Sequence, residues 1–470
     1  MKHHDTNLFQ TQFFFDDTWI EHSIRLQRVW HQAEKRAEPV LRGERPWEGD
    51  LIIGYGSVLH YEGRFRMWYK VWPEFSGTSR CVCYAESEDG IHWTRPFLGL
   101  HEYEGSKDNN IIIRPEEGYL DCLGVIDDPE DSAWPLKMIY WIGVPGKPEK
   151  TGLTALRSED GIHWEKSPGL VLPGWGDRTN IMPAKDNGKY VIFGRYRPHM
   201  QKYACRVVSR TESEDLVHWS EPELVLKPDC EDEAHMQIYS ASAFRWESLY
   251  MGFIERMHMA PDVLDPELWF SHDGHHWQRS RGRQAFIERS PFPHFDCGWL
   301  NLTCNAPIPS GCEMLLHYSG RAHGHHAHRG LARRYGAIGV ATLRIDGFCS
   351  LQAKEATGWL VTPPMRWPEA ELRVNADPRL DITTHYGCAD GEVRVEVRYP
   401  GGRPVKGLTF DDCVPQTANT FRDGPGDATR RVEWKSGKRI AELAGRNIRL
   451  AFRLRDAHLY TFKAAEPEND

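Results

Sequence analysis

Apolar and polar positions alternate along most of this chain with the period of two that belongs to β-strands. Leu51 to Leu59, Arg66 to Tyr69, Cys81 to Ala85, Lys137 to Gly143, Tyr190 to Tyr196 and Leu249 to Ile254 each read as strands of this kind. Beyond about residue 345 the alternation becomes strict. Val393, Val395, Val397 and Tyr399 oppose Arg394, Glu396 and Arg398, and Ile448, Leu450, Phe452 and Leu454 oppose Arg449, Arg453 and Arg455. One apolar and one charged face mean a sheet that is wet on one side. Ile24 to Leu41 is ambiguous: a partial helical period stops at Pro39, so a helix and an extended rim segment both fit.

A repeated phrase groups these strands. Ser-Glu-Asp-Gly-Ile-His-Trp runs from Ser87 to Trp93 and again, unchanged, from Ser158 to Trp164; variants run from Ser213 to Trp219 and from Ser271 to Trp277. Asp-Gly supplies the positive φ of a tight turn, Ser and Asp can bond the turn amides, and Trp opens the next strand with a large packing group. Each copy reads as the last hairpin of a four-stranded antiparallel unit. Sheets of this size bury both faces when stacked radially, which is a β-propeller. Units begin at Trp47 to Asp50, near Asp121, at Gly176 to Arg178, at Asp232-Glu233 and, without the phrase, at Phe295-Asp296. The expectation is an all-β chain, with a five-bladed β-propeller over residues 1–345 and a β-sandwich domain over 346–470. Phe13 to Phe15 is expected to be the N-terminal strand that completes the last blade.

Composition narrows the class. The chain has 470 residues, 40% hydrophobic and 27% charged, as in ordinary globular proteins. A net charge of −9 argues against nucleic acid as partner, and no run approaches membrane-spanning length. Eighteen Trp suit blade packing and carbohydrate platforms. Eleven Cys without a C-x-x-C read as reduced core thiols, and the polar N-terminus lacks the pattern of a signal peptide, so a cytoplasmic location is expected. No cofactor is implied, and homo-oligomerisation is left open.

The acids point to chemistry. In a propeller the innermost strand of each blade lines the central channel. Asp50, Asp128, Asp177, Glu233 and Asp296 each stand at or near the start of a proposed inner strand, so they are expected to converge on one funnel. Carboxylates in one pocket push their pKa values apart into an acid and a base or nucleophile, as glycoside cleavage requires. Trp175 and Trp299 are candidate platforms for a sugar face, and Tyr318 a further substrate contact. An Asp or Glu before a strand is also a common turn or capping residue.

Asp-Gly hairpins with Trp, five units, an acid per inner strand and a following sandwich together resemble the five-bladed glycoside hydrolases of families 32, 43 and 68. Asp128-Pro129 is similar to the Arg-Asp-Pro segment of family 32, with Ile126-Asp127 where Arg would stand. Trp47 to Asp50 replaces that family's Asn-Asp-Pro-Asn opening, and no Glu-Cys pair occurs in unit three, departures that point away from fructan specificity. The resemblance implies Asp50 as nucleophile or base, Asp128 as the orienting acid and Glu233 as proton donor. It also implies Asp177 with Arg178 as a clamp on sugar hydroxyls and Asp296 as a substrate contact, with Glu255 a rival donor or a rim partner of Arg256.

The expected activity is cleavage of a glycosidic bond, by hydrolysis or transglycosylation, in a furanoside or small oligosaccharide. A non-catalytic carbohydrate-binding propeller and a glycoside phosphorylase, using Arg178, Arg195 and Arg197 for phosphate, are the alternatives. His323, His325, His326 and His328 have spacing that can ligate a metal, but a solvated or substrate-contacting loop is the preferred reading. His92, His163, His218 and His276 are read as structural.

Overall fold

The computed structural model describes residues 7–73, 80–167, 170–326, 335–354, 356–378, 391–417 and 428–467. Five antiparallel sheets follow one another along the chain. Blade one comprises Ile52–Tyr61, Arg64–Val71, Cys81–Ser87 and Ile111–Ile113. Blade two comprises Tyr119–Asp127, Leu136–Gly143 and Gly152–Ser158, with Glu165–Lys166 and Leu172–Pro173 both paired to the third strand. Blade three comprises Trp175–Ile181, Tyr190–Tyr196, Val208–Ser213 and Glu223–Leu226. Met236–Trp246, Leu249–His258, Val263–Ser271 and Trp277–Arg279 form blade four. Trp299–Leu302, Glu313–Arg321 and Gly336–Arg344 form the first three strands of blade five, which a single parallel bridge between Leu264 and Trp299 ties to blade four.

The first strands lie innermost and adjoin one another around a ring. Polar groups stitch them together: Ser57 Oγ accepts from Val125 N (2.9 Å), Asn180 Nδ2 donates to Ser240 Oγ (3.0 Å), and Cys304 N donates to Gly56 O (2.8 Å). These bonds satisfy groups that no ladder reaches.

The repeated phrase is the turn after each third strand. In the second copy Ser158 Oγ accepts from Gly161 N (2.8 Å), Asp160 Oδ1 accepts from the amides of Ile162 and His163 (2.8 Å each), and His163 Nδ1 meets Asp160 Oδ2 at 2.7 Å. Trp164 Nε1 then donates to Gly161 O at 3.0 Å. Positive φ values of 73°, 78° and 76° at Gly90, Gly161 and Gly274 are what glycine permits. The third copy places Leu216 there, at 63°. The four Trp side chains are half-buried between blades: Trp164 meets Trp68 edge-on at 6.5 Å, Trp93 meets His317 at 5.7 Å, and Trp277 meets Phe193 at 5.5 Å.

Ring closure corrects the reading of the N-terminus. Glu34–Lys35 pairs with Thr342 and Ala341 as the outermost strand of blade five. Gln12–Phe13 instead pairs with Thr461 and Phe462. Three consecutive Phe residues project to both sides of their backbone and need burial on both; all three find it, at 4%, 0% and 4% exposure. A short polar pair suits an outer edge that faces water. Ile24 to Leu41 contains no helix and holds the strands Gln27–Trp30 and Glu34–Lys35.

The chain divides into two compact units, Gln32–Ile308 with Leu315–Thr342, and Met1–His31 with Pro309–Met314 and Leu343–Asp470. The described N-terminal residues up to His31, expected with the propeller, therefore group with the second unit. That unit is a sandwich of two antiparallel sheets. One contains Cys349–Ala353, Glu371–Asp377 and Ala457–Ala465, the other Gly358–Val361, Glu392–Arg398 and Asn447–Arg455. Val393, Val395, Val397, Ile448, Leu450, Phe452 and Leu454 are all buried in one core with Phe14, Trp367 and Phe462, as their alternation required. The ten described cysteines are free thiols. No helix among the described residues is long and apolar enough to cross a membrane.

Candidate active site

Charged and aromatic side chains converge where the inner strands begin. In blade three the ladder slips between Trp175 and Thr179, lifting Gly176, Asp177 and Arg178 off regular pairing. The consecutive side chains then diverge. Asp177 stays 47% exposed and pairs with Arg195 Nη2, while Arg178 turns into the channel and is 1% exposed.

Arg178 forks onto Glu255 of blade four, with Nε 3.0 Å from Oε2 and 3.2 Å from Oε1 and Nη2 also on Oε1. Its guanidinium lies 4.2 Å from the centre of the Tyr55 ring, and beneath it Cys304 Sγ meets Asn180 Oδ1 at 2.8 Å. A buried pair of this kind survives only when the geometry is good on both partners. On the blade-one side, Lys70 and Arg80 both pair with Asp121, and Arg80 stacks over Trp72 (3.9 Å) and Tyr119 (4.4 Å). Burial pulls the Lys70 ammonium well below its usual value, with Asp121 opposing. Burial pushes Asp121 up, but Lys70 and Arg80 outweigh it and hold the carboxyl below the usual range.

Blades three to five complete the mouth. Arg195 sits 4.6 Å and Arg206 5.6 Å from the Tyr239 ring centre, and Arg321 sits 4.6 Å from that of Trp299. Tyr239 meets Trp299 edge-on at 4.9 Å, and His325 stacks on Trp299 at 5.4 Å. Arg321 Nη2 donates to Tyr55 OH at 3.0 Å, tying blade five to blade one. Asp177 and Asp121 share this environment. Burial raises the phenol pKa of both Tyr119 and Tyr239, and both carboxylates add to each shift.

Of the expected site residues, the channel gathers Asp177, Arg178, Glu255 and Trp299. Asp50 is exposed at the entrance of blade one, where its carbonyl accepts from Gly336 N at 3.1 Å. Glu233 lies on the same entry side, but its side chain is 72% exposed and hydrogen-bonded by His258 Nδ1 at 2.9 Å, so the expected desolvation is not found. Asp128 is a correction. It follows the last residue of Tyr119–Asp127 and so stands at the opposite end of the strand. There it accepts from Tyr190 OH and meets Lys185 at 3.1 Å, facing a separate cleft of 580 Å³. Asp121, where unit two was read to begin, takes the channel position.

Asp296 is also outside the channel: its Oδ2 accepts from Lys35 Nζ (2.7 Å) and Tyr318 OH (3.1 Å), across blade five. Tyr318 is thereby accounted for, and Trp175, 1% exposed and packed on Tyr196 at 5.8 Å, is core rather than platform. Asp177 and Arg178 do not form one clamp, and Glu255 pairs with Arg178 instead of Arg256, which holds Asp265. The acids do not repel one another into a donor and a base either, because each channel carboxylate is bonded to a cation. His326 bonds Asp262 through its amide (2.7 Å) and Nδ1 (3.0 Å); His328 lies outside the described residues. No metal-holding group of His, Cys, Asp or Glu occurs among the described residues.

Sequence reasoning missed Tyr55, Lys70, Tyr239 and Arg321 and did not place Arg195 beside Asp177. A signal existed. Lys70, Arg195, Glu255 and Arg321 each lie at or near the end of a second strand, which returns to the entry face.

The family described as Glycosyl hydrolases family 32 N-terminal domain matches residues 179–291, from the inner strand of blade three to just before blade five, in line with the resemblance read from the sequence. Among solved structures, an N-acetylgalactosamine deacetylase from F. plautii in complex with blood group B trisaccharide is 14% identical, covering 69% of this chain and 97% of that chain, with a TM-score of 0.49. A glycosyl hydrolase from Bacteroides ovatus is 15% identical, covering 67% and 94%, with a TM-score of 0.48. The β-1,2-mannobiose phosphorylase from Listeria innocua, in complex with β-1,2-mannobiose, is 14% identical, covering 65% and 96%, with a TM-score of 0.45. None of the curated proteins matches the chain. The fold is a propeller, and the family match is confined to residues 179–291.

Proposed function

We propose that this chain cleaves a glycosidic bond, as hydrolase or transglycosidase, in a furanoside or small oligosaccharide bound at the channel mouth. The observation that carries this reading is Asp177: a half-exposed carboxylate lifted on a strand irregularity, steadied by Arg195 and close to the rings of Tyr119 and Tyr239. A sugar stacked on an aromatic face there presents its anomeric carbon to an acid that solvent also reaches. Asp177 is the proposed base or nucleophile, with Asp50 on the rim of blade one as the alternative. Glu255, with both oxygens engaged by Arg178, is a fixed anion rather than a donor.

Glu233 remains the proposed proton donor. It lies on the entry face, where His258 Nδ1 meets its carboxyl at 2.9 Å. In this scheme the donor protonates the departing glycosidic oxygen while the base or nucleophile supports attack at the anomeric carbon.

A panel of aryl furanosides and pyranosides, followed by the preferred natural glycoside, provides the test. Asp177→Asn is expected to lower turnover on both substrate types by about 10²-fold or more at an unchanged melting temperature. Glu233→Gln is expected to lose as much on the natural substrate but far less where the aryl leaving group needs no proton. Full turnover in both variants overturns the assignment.

A further inference from the structure

Buried cations in this propeller are, as a rule, each paired with a carboxylate. Arg178 has Glu255, Lys70 and Arg80 share Asp121, Arg279 is held by Glu267 and Asp232, and Arg256 is held by Asp265. The mouth between blades three, four and five breaks the rule. Three guanidiniums, Arg195, Arg206 and Arg321, surround the Tyr239, Trp299 and His325 rings, with Asp177 as the single carboxylate paired to any of them among the described residues. Arg206 bonds the neutral amide of Gln237, and Arg321 bonds the neutral phenol of Tyr55. Arg195 and Arg321 are 6% and 8% exposed, and the Nε of each is buried with no hydrogen-bond partner. Leaving a buried guanidinium uncompensated is strongly unfavourable, so an excess of two positive charges in one mouth calls for an anion that none of the described residues supplies.

We propose that this mouth is an oxyanion subsite, taking a carboxylate or phosphate group that accompanies the carbohydrate. Guanidinium forks match planar carboxylate and tetrahedral phosphate oxygens through paired N–H donors, and the aromatic rings behind them offer a surface for the sugar that carries the group. Two sources of the oxyanion share this chemistry: an acidic sugar residue of the substrate itself, or free inorganic phosphate bound next to a neutral sugar. The inference rests on the proposed carbohydrate site only for what brings the oxyanion there; the charge imbalance stands without it.

The test uses the full chain at low ionic strength, with calorimetry and thermal shift for glucuronate, galacturonate, inorganic phosphate and glucose as the neutral control. At least one oxyanion is expected to bind and raise the melting temperature where glucose at equal concentration does not, with affinity falling as salt rises. Arg321→Gln and Arg206→Gln are each expected to weaken oxyanion binding about tenfold or more, as for loss of a charge-assisted pair. Arg206, half-buried and without an ion pair, keeps the test decisive should the Arg321 variant fold poorly. Binding of uronates but not phosphate assigns the oxyanion to the sugar. Binding of phosphate, with turnover that phosphate accelerates, assigns it to a co-substrate. Oxyanion binding no stronger than that of glucose, or unaltered in both variants, overturns the proposal. If oxyanions bind as expected while no glycoside is cleaved, the subsite stands and the proposed activity falls.

Discussion

Two residues show how position overrides type. In three copies of the turn phrase glycine takes the left-handed conformation, but Leu216 does so in the third, at a backbone penalty of about 1 kcal/mol. Its side chain, 6% exposed within a core cluster of blades two and three, offsets that penalty. Leu216→Ala retains the strain and loses the burial, so a loss of about 2–4 kcal/mol is expected. Leu216→Gly loses the burial but also the strain. Chemical denaturation is therefore expected to rank Gly above Ala, the reverse of their order in regular structure. His317 is the second case. It is fully buried, with Nε2 2.8 Å from Gly90 O, and burial lowers its pKa to about 4. The folded value lies below the unfolded value of 6.5, so stability is complete above about pH 6.5 and is lost as the pH falls towards 4, when only the unfolded chain gains the proton. Its share of the slope is about 1.4 kcal/mol per pH unit in that window. Unfolding free energies at pH 7 and pH 5 are expected to differ less in His317→Gln than in the parent. The apolar run Met314 to Tyr318 sets His317 apart from the histidines of the turn phrases, but the partner that encloses it, Gly90 of blade one, lies far away in the sequence.

At the scale of the element, the turn phrase was legible because one local mechanism repeats. Ser and Asp bond the amides, a left-handed residue after Asp (Gly in three copies, Leu216 in the third) turns the chain, and Trp packs, whatever blade surrounds it. Placing each Trp between blades required the neighbour: Trp164 against Trp68, Trp277 against Phe193 at 5.5 Å. These rings are half-buried rather than fully enclosed, so Trp164→Ala is expected to cost about 1–3 kcal/mol, below the 3–5 typical of a core Trp. Trp68→Ala, which removes a fully buried ring and its bond to Gly161 O (2.7 Å), is expected to cost more. Thermal melts of the two variants decide the order. The candidate site was less legible for a related reason. Attention to acids at the start of inner strands found Asp177, but the same end of each blade also receives the end of the second strand, where Lys70, Arg195, Glu255 and Arg321 arrive from far along the chain. An acid such as Asp128 passes the same local test and stands at the wrong end, since its nine-residue strand begins at Tyr119.

For the whole molecule, blade succession and the sandwich followed from turn spacing and strict alternation, which are local patterns. Closing the ring is a long-range event. Glu34–Lys35 carries no strand signature of its own, because an outer edge needs neither apolar face nor length, and its partner strand lies some three hundred residues later. What holds the closure is Lys35 Nζ on Asp296 Oδ2, with the carboxylate side chain 2% and the lysine 16% exposed. Lys35 also reaches Ser290 Oγ at 2.6 Å, and Tyr318 OH supports the carboxylate. Removing one partner leaves the other charge buried, so Lys35→Met is expected to destabilise the propeller by about 3–5 kcal/mol. Asp296→Asn keeps an acceptor for Tyr318 and leaves Lys35 its serine and partial contact with water, so a smaller loss is expected. The double variant, with no stranded carboxylate, is expected to recover part of the Lys35→Met loss. This cycle also separates the role seen in the fold from the channel role first expected of Asp296. A structural ion pair predicts that Asp296→Asn melts earlier but turns over normally per folded molecule; a channel acid predicts lost turnover at an unchanged melting temperature.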